Sequence, residues 1–129
     1  MEPIEQIRAA LAAFDAVVWS RCGGPLPLSM DREQRSPGWV QLGLERSEAG
    51  WRTLEALAWA CEDMRRSGER VRFYPTAPPP GAAGPGEGLA FVLECYPEGG
   101  DQEERFGRIA AFLAWARTQS AGARPGAGP

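Results

Sequence analysis

The side chains in this sequence that could do acid–base work are carboxylates. Glu55 and Glu62 stand about two helical turns apart, and Glu94 lies among apolar neighbours in a strand-like run. A pair of acids flanking a cleft is the arrangement that hydrolyses a glycosidic bond. The plainer expectation, which the sequence favours, is a solvated helix flank in which Glu55 and Glu62 pair with Arg52 and Arg66. All 14 basic residues are arginine, and the 129 residues contain no His, Lys or Asn. The usual proton shuttle and commonest metal ligand are therefore absent, as are the lysine of a Walker A loop and Schiff-base chemistry.

Cys22, Cys61 and Cys95 are widely spaced and sit in apolar surroundings, with no C-x-x-C pair to start a zinc site. They read as reduced core thiols, which fits a cytoplasmic setting. Gly84, Gly86 and Gly88 form a G-x-G-x-G run, but it holds Pro85 and leads into a strand, so no helix N-terminus follows to receive phosphate. Glu98, Asp101, Glu103 and Glu104 lack the alternating ligand spacing of a calcium loop. The expectation is a chain with no cofactor, no metal and no catalytic residues.

These side chains have to be placed by a small set of elements. The most legible is Ser47 to Gly68, with Ser47 as N-cap, Glu48 at the positive end of the helix dipole, Arg65 and Arg66 at the negative end, and Gly68 as the left-handed terminator. At helical spacing Trp51, Leu54, Leu57, Ala58, Cys61 and Met64 share one arc, leaving Arg52, Glu55, Trp59, Asp63 and Arg66 elsewhere. Upstream, Pro3 opens a run in which Ile4, Ile7, Leu11, Phe14 and Val18 recur at helical spacing, predicting a helix of about five turns. Leu26 to Met30 suggests a short edge strand, and Trp39 to Glu45 a strand that alternates cleanly.

Val71 to Pro75 and Leu89 to Tyr96 read as two further strands joined by a Pro/Gly-rich loop over 76–88. Asp101, with Glu104 three residues on, then caps a last helix running to about Thr118. The expectation is a single α+β domain over residues 1–119 in the order α-β-β-α-β-β-α. Its sheet, antiparallel or mixed, has three to four strands with helices packed on one face. Residues 120–129, rich in Gly, Ala and Pro, read as a disordered tail. The longest apolar run near the start, Ala9 to Phe14, makes neither a signal peptide nor a membrane span.

Alternation gives the sheet a second face. If Val40, Leu42, Leu44, Val71, Phe73, Leu89, Phe91, Leu93 and Cys95 face the helices, the other face carries Trp39, Gln41, Arg72, Tyr74, Val92, Glu94 and Tyr96. Aromatics with arginine are the residues enriched in the centres of protein interfaces. Stacked bases would use such a face too, but a net charge of −3 argues against nucleic acid. Trp19, Trp59 and Trp115 also fall off the apolar stripes of their helices, which suggests that the helical layer meets something, such as another copy of the chain.

From Leu54 to Thr118 the run of helix, RVRFYP strand, turn, LAFVLECYP strand and GGDQEERFGRIAAFLAWART helix resembles the second half of the type III secretion chaperone-like fold. The first half departs from it, having one strand, Trp39 to Glu45, where that fold has three. The resemblance implies a small, acidic, usually dimeric protein that holds an extended segment of a partner against helix and sheet surfaces. It transfers no residue roles.

The sequence thus points to a non-enzymatic cytoplasmic module that binds another protein, or itself, as a chaperone, immunity protein or adaptor does. The candidate partner surface is Trp39, Arg72, Tyr74, Val92, Glu94 and Tyr96. A second interface is Glu55, Trp59, Glu62, Arg66 and Trp115. The alternative is a small-molecule binder or carboxylate enzyme using Glu55, Glu62 or Glu94 beside the Pro/Gly-rich loop.

Overall fold

The computed structural model describes residues 2–23, 38–77, 88–96 and 101–122. Three helices cover one face of a four-stranded antiparallel sheet, in the chain order α1 (Pro3–Ala12), β1 (Val17–Gly23), β2 (Gly38–Glu45), α2 (Glu48–Arg66), β3 (Val71–Pro75), β4 (Gly88–Cys95) and α3 (Gln102–Gly122). The strands lie in the spatial order β1-β2-β4-β3. The α+β class and the element order match the expectation from sequence.

The core lies between the two layers. From the sheet, Val40, Leu42, Leu44, Val71, Phe91, Leu93 and Cys95 point into it, as their alternation requires. Ile4, Ile7 and Leu11 of α1 meet them, together with Leu57, Cys61 and Met64 of α2 and Phe106, Ile109 and Leu113 of α3. Phe73 and Phe91 stack with ring centres 5.4 Å apart and extend this core under β3. Side chains of Leu or Phe size buried in this way contribute about 1.5–3 kcal/mol each.

The caps of α2 are those written in its sequence. Ser47 Oγ accepts from the Gly50 N–H at 3.1 Å. At the other end Gly68, at φ +92°, lets the Glu69 N–H reach Met64 O at 2.9 Å and its own N–H reach Arg65 O at 3.1 Å. Asp101 Oδ1 accepts from the Glu103 N–H at 2.9 Å and caps α3. That helix continues through Gly122, past the Thr118 boundary expected.

Two local expectations are corrected. The opening helix stops at Ala12, and Val17–Gly23 is strand. Phe14 and Ala16 fill the core from the turn between them, so the helical spacing of Phe14 reports burial without helix. The β-branched and aromatic run Val17-Val18-Trp19 then takes the extended conformation. Val18, expected on the helical stripe, sits at a register shift between Val17 and Trp19 and is 50% exposed. The first hairpin is therefore β1 with β2, and the strand expected at 26–30 falls outside the described residues.

The second correction concerns the rotation of α2. Trp51 is 64% exposed and Ala58 is exposed, whereas Gly50, Thr53, Leu57, Ala60, Cys61 and Met64 face inward. Gly50 fixes this rotation, because a Cβ there would lie 1.8 Å from Glu45 O. Only glycine lets the first turn of α2 press so closely on the end of β2.

Candidate functional site

Two aromatic surfaces, on opposite sides of the molecule's layers, are the candidates. On the sheet's outer face strand pairing brings the sequence-predicted group together: Trp39 lies opposite Glu94, Arg72 opposite Glu94 and Tyr74 opposite Val92, with Tyr96 just beyond β4. Glu94 is the hub. Its Oε1 accepts from Tyr96 Oη at 2.9 Å and lies 3.8 Å from the Arg72 guanidinium. Burial first, and then the neighbouring Glu94 carboxylate, push the Tyr74 phenol above its ordinary pKa.

Sequence reasoning missed half of this face, because it placed β1 in a helix. Trp19 pairs with Gly43, and Trp39 with Gly23, on adjacent strands. Each indole lies over its glycine: a Cβ on Gly43 would be 2.1 Å from the Trp19 ring, and one on Gly23 would be 2.6 Å from the Trp39 ring. Such cross-strand pairs cover backbone that glycine leaves bare. The alternation Trp19, Arg21, Gly23 against Ser20 and Cys22 was the available signal.

Between the two indoles Arg21 Nε donates to Gln41 Oε1 at 2.7 Å, and Gln41 Nε2 donates to Ala77 O at 3.0 Å. Gln41 and Val92, paired across β2 and β4, are buried. Arginines cap the aromatics at cation–π distance, Arg21 over Trp39 at 5.5 Å, Arg70 over Tyr96 at 5.5 Å and Arg72 over Tyr74 at 5.4 Å. The aromatic residues here are engaged with their own chain.

The helical layer differs. Trp59 of α2 and Trp115 of α3, 63% and 58% exposed, wall a groove of about 360 Å³. Ala56, Ala60 and Ala116 also line it, and Arg52, Glu55 and Asp63 stand along its α2 side. Of the second group expected from sequence, Glu55, Trp59 and Trp115 come together here. Glu62 and Arg66 do not line the groove. Glu62 pairs with Arg65 at 3.1 Å and Arg66 at 3.4 Å on the neighbouring flank. Arg52 pairs with Glu48, at 2.5 Å, and not with Glu55.

The three cysteines, Glu5 and Glu69 are held in structural roles. Cys22 Sγ donates to Glu5 Oε2 at 3.1 Å, and burial with that hydrogen bond pushes the thiol up to about 11. Burial pushes Cys61 up to about 12 and Cys95 further still, so all three thiols stay protonated at neutral pH. The Glu5 carboxyl is held below its usual value by hydrogen bonds from Arg8 and then Cys22. Glu69, buried and missed by sequence reasoning, lies 3.4 Å from Arg105 and 3.3 Å from Arg108, tying the α2–β3 turn to α3. Among the described residues no group of three or more Cys, Asp or Glu side chains is placed to hold a metal ion. No helix among them is long and apolar enough to cross a membrane.

Comparison with protein-family models, curated proteins and solved structures found no match for this chain.

Proposed function

We infer that this chain is a non-enzymatic protein-binding module whose docking surface is the outer side of its helical layer. The observation that carries the reading is the α2–α3 groove, where Trp59 and Trp115 are each exposed by more than half around an alanine floor. Tryptophan is the residue most enriched at the energetic centres of interfaces, and a groove with aromatic walls offers a pocket for an anchoring side chain. The sheet face is the weaker candidate, since its indoles lie over glycines and its tyrosines are tied to arginine and Glu94. The resemblance of Leu54 to Thr118 to the second half of the secretion-chaperone-like fold supports the same class of role by analogy.

Site-specific photo-crosslinking in the producing cell tests this reading. A benzophenone amino acid at position 59 or 115 should give discrete protein adducts, and one at exposed Ala114, about 100° around α3 from Trp115 and away from the groove, should not. Absence of adducts at 59 and 115, or equal labelling at 114, would overturn the assignment.

A further inference from the structure

We propose that the occupant of the α2–α3 groove is a second copy of this chain, bound with its α2 antiparallel across a two-fold axis level with Leu57 and Ala58. The proposal rests on the protein-binding reading above and names the partner. Its first support is shape: one helix carries both a projection, Trp59, and a depression lined by Ala56 and Ala60. An isologous interface needs a surface complementary to itself. Residues equidistant from the axis face each other in such a pair, so Trp59 of each copy meets Ala56 of the other, with Trp115 as the far wall.

Charge chooses the register. The same axis sets Arg52 of one copy against Asp63 of the other, twice over. Asp63 has no ion-pair partner among the described residues, and Arg52 has an exposed pair with Glu48 one turn away. One step further out, Arg52 approaches Glu62 of the second copy and Glu48 approaches Arg66. A two-fold axis through Trp59 itself would instead oppose Arg52 to Arg66 and Glu55 to Asp63. Like charges across an interface are costly, so this alternative is disfavoured. Either two-fold pairing sets the helix dipoles antiparallel, so the choice of register rests on the side-chain charges.

Sedimentation velocity on the full chain, from low to several hundred micromolar, tests the proposal. A species of twice 14.0 kDa is expected, and Trp59→Ala should leave only monomer. Arg52→Asp and Asp63→Arg should each weaken the dimer by about tenfold or more, and the double variant should return to within about threefold of the parent. The charge variants, at exposed Arg52 and half-buried Asp63, should keep the parent circular dichroism, so they report on association even if Trp59→Ala were to misfold. A chain that stays monomeric throughout overturns the proposal, as does a dimer indifferent to both single reversals or one that the double variant fails to restore. In each of those cases crosslinks from positions 59 and 115 to a different protein would leave the protein-binding reading standing. Absence of any crosslink would remove that reading as well.

Discussion

The sheet face and the helical face carry the same residue types, tryptophan, arginine and glutamate, yet they are used differently. On the sheet, Trp19 and Trp39 lie on Gly43 and Gly23 of the neighbouring strand, and each arginine finds an aromatic ring. On the helices, Trp59 and Trp115 stand out from a floor of alanines. Composition alone marks both as sticky surfaces. Geometry separates a face finished by its own chain from one that leaves apolar area to be covered.

The largest effect that should break this contrast is on stability. Trp39→Ala removes a half-buried indole from the sheet and uncovers Gly23, and is expected to cost about 2 kcal/mol in urea unfolding. Trp59→Ala and Trp115→Ala, made on exposed side chains, should each stay within about 0.5 kcal/mol of the parent at dilute concentration. If the helix variants were the destabilising ones, the two faces would have been assigned the wrong way round.

A smaller effect sharpens the role of Glu94. Tyr96→Phe deletes the phenolic hydroxyl that donates to Glu94 and should lower stability by about 1 kcal/mol without altering self-association. A change in the dimer constant would instead place the sheet face in the interface.

Acid should show the smallest change. Glu5 has a folded-state pKa below its ordinary 4.5, so its pairing with Arg8 and Cys22 contributes stability above that value. The contribution is lost as pH falls below about 4.5, because the unfolded chain then binds the proton more readily than the folded one. Glu5→Gln should flatten that part of the stability curve, read by thermal unfolding between pH 5 and pH 3 (about the range of carboxylate titration). An unchanged acid slope would remove Glu5 from the account.

What was legible in the sequence follows from how local each signal is. The α2 boundaries were readable because Ser47 and Gly68 act on backbone groups within a turn of themselves. The strands β2, β3 and β4 were readable because alternation reports their two faces directly. β1 was hidden, because Leu11, Phe14 and Val18 keep a helical spacing across a turn, and the bulge at Val18 breaks the alternation that would have revealed the strand. The rotation of α2 was also hidden, since it is set by the contact of Gly50 with Glu45 O, and no pattern within the helix records that contact. Trp51 was consequently expected inside and Trp19 on a helix. Trp59 and Trp115 were expected to be off the apolar stripes, and they are exposed.

Fluorine NMR of the chain labelled with 5-fluorotryptophan reads both faces at once, because its five tryptophans are divided between them. On raising the protein concentration through the dimer transition, the Trp59 and Trp115 resonances should shift or broaden while those of Trp19 and Trp39 hold their positions. Stationary Trp59 and Trp115 signals alongside moving Trp19 or Trp39 signals would contradict the account.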